Sequence, residues 1–551
     1  MSDSGPVAAD EDRPLSGRAW VDSADRFFDW AGDRCNPILI KEARQALKSK
    51  HFIWTFGVLL FGAWTWTIIG TMLMMPGIYY AAAGNVMLLG YYWVLAVPMM
   101  LVAPMAAHRS LVAEREDGTF EVLSISTLTS YQIIYGKLTS TVLQLIIYFT
   151  ALVPCVAFTY MLRGVDLPSI ALIVTTTFLT AIFLVVIGLF FATLATTRSL
   201  QSIMMLLLLG VIILAEYLHG QFAISLLRNG VTGENTESLV LITALGTFYV
   251  ATSIFLLVAG ASSISAASEN KSTRLRIMML VIQALSLFWA TFLLLYIQAE
   301  GRDYARSIFM DFFPNTRVVI MIFLGLFAMY WMGMGGLMLG ESANLSSRVR
   351  RGLPRSFLGR VYLTWLNPGP GTGMVFAITN FLGLILWVKI MESNFGNVSF
   401  LKTGDTTAVA ITIVGYMMFY MGLAHLLVSA VRTQADVSPF IALIAMLLLM
   451  SLSCIIPYSA GLYMNNFRNF EWDSSQITNW GWTMQQFIIG ADEAHVPWVV
   501  LLMGLVSVAL NLWYVGRDVM IQRISTPDRV LAELATLEPP RADDESIDPL
   551  A

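Results

Sequence analysis

Residues Ala113 to Lys137 read AEREDGTFEVLSISTLTSYQIIYGK, a polar run set between two strongly apolar stretches. A short turn would suffice to join two membrane helices. Here Glu114, Arg115, Glu116, Asp117 and Glu121 are instead interleaved with Phe120, Leu123 and Leu128, and Ile133 and Ile134 lead back into an apolar run. A solvated loop has no use for those apolar side chains. A short helix that offers Phe120 and Leu123 to a groove on another protein does.

The chain around this run has 551 residues, 57% of them hydrophobic and only 13% charged. That is too little polar surface to clothe a soluble globule of this size, so the expected fold class is an all-α polytopic membrane protein. A net charge of −4 gives no argument for a nucleic-acid partner. Cys35, Cys155 and Cys454 are far apart in sequence and suggest neither a disulfide framework nor a metal site. No short apolar core with a cleavage site marks the first 30 residues, which argues against a cleaved signal peptide.

Helices of roughly 17–25 apolar residues cross a bilayer, and about twelve candidates meet that length. They lie near 52–75, 86–107, 138–162, 169–195, 203–218, 239–265, 277–298, 318–340, 374–391, 407–431, 440–463 and 497–516, the fifth and ninth being short. Pro98, Pro104, Pro154 and Pro457 fall inside them and read as kinks. An even count puts both termini on one side. Placing that side in the cytoplasm puts most of the 33 Lys and Arg inside a cell (inner) membrane. The polar run at 113–137 is then cytoplasmic, and NNFRNFEWDSSQITNWGW, after the eleventh span, is an external loop.

Ahead of the first span, Asn36 reads as a helix N-cap and Pro37 as the first helical residue. Lys41, Arg44 and Lys48 then share one face, with Leu39, Ala43 and Leu47 on another. Such a helix would lie along the inner leaflet with its cations near lipid phosphates. Residues 1–33 read as a polar, partly disordered segment in which MSDSGPVAADEDRP is too polar to pack and Trp20, Ala24, Phe27, Phe28 and Ala31 give a weak apolar stripe. Residues 517–551 read as a cytoplasmic acidic tail whose end, PPRADDESIDPLA, reads as disordered.

Two motifs now stand at a definite spacing. Glu114-Arg115-Glu116-Asp117-Gly118-Thr119-Phe120-Glu121-Val122-Leu123, closed by Gly136-Lys137, resembles the signature between the second and third spans of type-2 ABC transporter permeases. Asn36-Pro37-Ile38-Leu39-Ile40-Lys41-Glu42-Ala43-Arg44 is similar to that family's opening motif. The resemblance implies a coupling helix that docks on a separate cytoplasmic ATP-binding subunit, carried here by Glu114, Glu116, Gly118, Thr119, Phe120, Glu121 and Leu123. It implies a connecting helix at Asn36, Pro37, Lys41, Glu42 and Arg44, and ATP and Mg held in the partner rather than in this chain. The function so implied is the membrane-spanning subunit of an ATP-driven exporter. Thr127 and Ser130 depart from the family pattern, where proline is usual.

The resemblance covers 34–270, a six-span unit. The family places short external helices before its sixth span, and QFAISLLR, at 221–228, reads equally as such a helix or as a loop. Residues 271–516 form a second six-span unit whose relation to the first the sequence leaves open. Its connection at 341–373 is basic through Arg348, Arg350, Arg351, Arg355 and Arg360 but lacks the signature. One recognisable docking element per chain points to a homodimer or a sibling permease.

No phosphate-cradling loop is present. Gly136-Lys137 has Tyr131 where glycine is needed, and PGPGTG at 368–373 lacks the lysine. No metalloprotease or nucleophile motif marks an intramembrane enzyme. An ion-coupled carrier and a purely structural membrane subunit stay as alternatives. Carriers need ionisable groups inside the membrane. Glu216, Lys389 and His425 are the main candidates, the first two near outer span ends and His425 read as a hydrogen-bonded core residue.

Overall fold

Local signals in the chain explain where its helices begin. Ser49, Asp166, Thr197 and Ser438 each accept a hydrogen bond from the backbone N–H three residues on, and Thr129 forms a reciprocal capping box with Gln132. Each such cap stabilises a helix start by about 1 kcal/mol. Between these caps the apolar runs leave the backbone no partner but itself in lipid, so they close as helices.

The computed structural model describes residues 37–529, apart from 118–128, 196, 231–235, 267, 301–315, 343, 355, 360–363, 395–404, 435–436, 469–470, 490–494, 522, 525–526 and 528. Among the described residues no strand is present, and eleven helices are long and apolar enough to cross a membrane. The chain is a multi-pass, all-helical membrane protein. It divides into two units, residues 1–265 and 266–551.

The first unit contains α1 (Pro37–Lys48), α2 (Lys50–Met74), α3 (Gly84–Glu116), α4 (Ser130–Met161), α5 (Leu167–Leu194), α6 (Arg198–Asn229) and α7 (Thr236–Ile264). Its most enclosed helix is α3. Met87, Leu88, Tyr91, Leu95, Met99, Met100 and Ala107 of α3 are buried in one core with Leu145 and Tyr148 of α4 and Leu184, Val185 and Leu189 of α5. The two prolines expected to kink α3 are accommodated by a π turn at Val97–Val102, whose Pro98 carbonyl accepts from the Ala103 N–H. By contrast, Trp54, Phe61, Trp64 and Leu73 of α2 are exposed, as suits a lipid-facing helix.

The second unit contains α8 (Ser272–Glu300), α9 (Thr316–Leu339), α10 (Ser347–Arg351), α11 (Pro370–Asn394), α12 (Asp405–Val431), α13 (Pro439–Met464), α14 (Trp480–Ile489) and α15 (Val496–Met520). Its most enclosed helix is α12, along which α15 runs in close contact. A Cβ built on Gly504 would lie 2.5 Å from the Gly415 carbonyl oxygen, so small residues set this spacing. Gly504→Val is expected to destabilise the second unit by roughly 1–3 kcal/mol. A detergent-titration unfolding curve checks it against wild type.

Several boundaries differ from the sequence expectation, for one physical reason. Hydropathy ends a span at its last apolar residue, whereas the helix continues as long as backbone bonds continue. The second span runs on to Glu116, which makes Glu114, Arg115 and Glu116 its last turn. The fifth, expected to be short, is a 32-residue helix that absorbs QFAISLLR, and the ninth has 25 residues. Eleven helices among the described residues have the length and apolarity of a crossing, and the remaining candidate is the 24-residue α9, whose described apolar part is Phe323–Leu339.

The expected loop after the eleventh span is likewise structured. It forms a 3-10 turn at Ser474–Gln476 and then α14. Tyr420 Oη donates to Thr478 O at 2.6 Å, Gln476 Nε2 to Pro457 O at 2.9 Å, and Trp480 Nε1 to Met450 O at 3.2 Å. Met450 lies 14 residues before the end of α13, roughly 20 Å along its axis. The segment is therefore tucked between helices rather than free.

Candidate functional site

Three of the sequence motifs meet at one end of the first unit, where α3 stops and α4 starts. Lys137, one and a half turns or more into α4, is only 3% exposed. Its Nζ donates to Glu114 Oε1 at 2.9 Å, Ser110 Oγ at 2.8 Å and Glu42 Oε1 at 3.4 Å. Three N–H groups find three acceptors, so the buried ammonium is saturated. Glu42 comes from α1, Glu114 and Ser110 from α3. One cation thus pins three helices together.

The next residue anchors the other side of the same turn. Arg115 donates through Nη2 to Thr193 O at 2.9 Å and through Nη1 to Ala195 O at 3.1 Å. These are carbonyls that the C-terminus of α5 leaves without intrahelical partners, and a guanidinium there also meets the negative end of the helix dipole. Glu116 and Asp117 remain exposed. The connection beyond them returns at the Thr129 capping box, so both of its ends are fastened.

In α1, Lys41, Arg44 and Lys48 are exposed, whereas Glu42, Ala43, Ala46 and Leu47 are half-buried toward α4. Ser49 joins α1 to α2, its Oγ donating to Ala46 O at 2.7 Å and accepting from Phe52 N at 3.1 Å. Pro37 opens α1. Asn36, Gly118, Thr119, Phe120, Glu121 and Leu123 lie outside the described residues, as do all of 1–33 and most of the tail. Of the residues assigned to the docking and connecting helices, the structure therefore brings together Glu42 and Glu114. Lys137 and Arg115, which bind them in place, were quoted in the motif without a role. The lone lysine at the edge of an apolar run was the available signal.

The second unit carries a comparable ionic centre that sequence reading missed. Arg276 of α8 is fully buried, and its Nη2 lies 2.7 Å from Glu341 Oε2. The same guanidinium donates to Trp365 O, to Thr372 Oγ1 at 3.2 Å and to Gly369 O at 3.2 Å, over the Phe376 ring. Glu341 Oε2 also accepts from Gly369 N at 2.8 Å. This explains PGPGTG at 368–373. A Cβ on Gly373 would lie 3.3 Å from Arg276 Nη2 and 2.5 Å from Met338 Cβ, so glycine admits the arginine. Nearby, burial pulls the Arg432 guanidinium below its usual range, opposed by the carboxylates of Asp518 and Glu341.

The remaining ionisable candidates separate clearly. His425 Nδ1 meets Asn511 Oδ1 at 2.5 Å, and Asn511 Nδ2 donates to Gly422 O and Ser507 O, a satisfied bridge between α12 and α15. Lys389 lies near the end of α11 and donates to Thr407 Oγ1 at 2.5 Å. Glu216, expected near an outer end, is 13 residues inside α6, and its Oε1 accepts from Tyr92 Oη at 3.1 Å. Comparison with protein-family models, with curated proteins and with solved structures finds no match to this chain.

Proposed function

We propose that this chain is the membrane-spanning permease subunit of an ATP-driven exporter, with 114–123 as the element that docks on a separate cytoplasmic ATP-binding subunit. ATP and Mg belong to that partner. The observation that carries the reading is the buried Glu42–Lys137–Glu114 cluster. It ties the entry and the exit of the connection to each other and to α1, so a force applied to the connection moves α1, α3 and α4 as one piece. Arg115 extends the same coupling to α5. A loop that only joined two spans would need no such anchorage. Two-state bundles respond to a partner in proportion to its differential affinity for the two states, and a fastened lever supplies that difference.

With one such docking element per chain, two ATP-binding subunits imply a homodimer or a sibling permease, in a membrane where the docking side is cytoplasmic. The test is recovery of an ATP-binding partner on the affinity-tagged chain from its own membranes. Replacing Phe120 by Ala and Glu121 by Lys is expected to abolish that recovery while membrane insertion is unchanged. An equal yield of the partner from the variant sinks the docking role. Ion-coupled transport is the second reading, favoured by the carboxylate of Glu216 within α6.

A further inference from the structure

Glu216 does not stand alone. Its partner Tyr92 is buried on α3, and the Tyr92 Oη lies 3.0 Å from Nδ1 of His219, itself buried one turn along α6. Nε2 of His219 lies 3.1 Å from Thr176 Oγ1 on α5. Thr176 Oγ1 in turn donates to Leu172 O at 2.7 Å. The Tyr92 and His219 rings stack with centroids 5.4 Å apart. All four residues lie roughly 12–20 Å along their helices from the ends away from Lys137, counting 1.5 Å per residue. All four thus lie away from the helix ends.

Counting protons along this chain leaves two arrangements with the same heavy-atom partners, one charged and one neutral. In the charged arrangement Tyr92 donates its one O–H to the Glu216 carboxylate and accepts from His219, so Nδ1 carries a hydrogen. Thr176 has one O–H, and the Leu172 carbonyl takes it, so Thr176 must accept from His219 and Nε2 also carries a hydrogen. A ring protonated on both nitrogens is an imidazolium. Its counter-charge is the Glu216 carboxylate, reached through the tyrosine hydroxyl.

We infer that Thr176, His219, Tyr92 and Glu216 form an intramembrane proton-binding site, a relayed ion pair holding one exchangeable proton between two bases. When the His219 Nδ1 proton passes to the Tyr92 oxygen as the Tyr92 proton passes to Glu216 Oε1, a neutral imidazole and a carboxylic acid replace the two charges. Atoms and charge balance. The ligand is the proton, and each arrangement fastens α3, α5 and α6 differently, because a carboxylic acid and a carboxylate hold a hydroxyl with unequal strength.

No other charge faces the pair among the described residues. Helix α5 has no titratable side chain. On α3, Tyr91 is turned to Thr67 at 2.6 Å and His108 to Gly188 O at 3.1 Å, while Arg109, Glu114, Arg115 and Glu116 belong to the far end. On α6, Arg198 and Arg228 sit at the two ends and the neighbouring Tyr217 is 62% exposed. Without a fixed cation beside it, Glu216 depends on His219 for its counter-charge. The site is independent of whether an ATPase drives the protein.

The chain has five histidines, so ring-nitrogen-labelled histidine can be resolved by magnetic resonance on the full-length protein in lipid bilayers, with His219→Gln assigning the signal. At neutral pH wild type is expected to show His219 protonated on both nitrogens. Glu216→Gln keeps an acceptor for Tyr92 but removes the counter-charge, and His219 is expected to become singly protonated. Tyr92→Phe, which breaks the relay without touching either base, should do the same and serves if Glu216→Gln fails to fold. A ring that is singly protonated in wild type throughout roughly pH 5–8, or that keeps the same state in wild type and both variants, overturns the assignment.

Discussion

Lys137→Met is expected to destabilise the first unit by about 3–5 kcal/mol, the usual cost of removing one partner from a buried ion pair. Methionine fills most of the lysine stem, so lost packing contributes little. What remains is Glu114 and Glu42, 16% and 13% exposed, now facing each other without the ammonium that lay 2.9 and 3.4 Å away. Replacing both carboxylates by leucine in the same chain should recover most of the loss, because apolar replacement of a whole buried ionic cluster is close to neutral. That non-additivity separates stranded charge from simple damage. It is read from detergent-titration unfolding of the single and triple variants. A Lys137→Met chain as stable as wild type contradicts the buried geometry.

Arg276→Met is expected to cost the second unit a similar amount, about 3–5 kcal/mol. The guanidinium serves Glu341, Thr372 and the carbonyls of Trp365 and Gly369 at once, so its loss strands one carboxylate and several backbone acceptors. Arg276→Lys discriminates charge from shape. An ammonium restores the ion pair but cannot reproduce a planar fork of five donors, so roughly half of the loss should persist. Full rescue by lysine would show that charge alone matters, and no loss in either variant would remove Arg276 from the centre of this unit's packing.

How far the sequence could be read follows from where the information sits. Helix existence was legible because an apolar run in lipid has one way to satisfy its backbone, and the start at Pro37 was legible from its residue type, whereas the caps at Thr129, Asp166 and Ser438 were not singled out. Ends were not. Glu116 closes the second span and Asn229 the fifth, both beyond the last apolar residue, where continuity of hydrogen bonds decides and hydropathy says nothing. The same holds for α14, whose polar approach reads as loop until Tyr420 and Met450 are seen to bind it. Of the site, Lys137 and Glu114 were visible as motif members. Their meeting was not, since Glu42 lies 95 residues from Lys137 and Ser110 lies 27 away, and no local rule links such positions. The same distance hid Arg276 from Glu341, and Tyr92 from His219.

The π turn at Val97–Val102 sets the angular phase between the two halves of α3. One residue more per turn rotates everything downstream by about 100° relative to an unbroken α-helix. In this helix Tyr92 points toward Glu216 on one side of the turn and Glu114 toward Lys137 on the other. A regular helix of the same sequence could aim one of them correctly, but never both, so the irregularity lets a single rod address two polar centres toward its opposite ends.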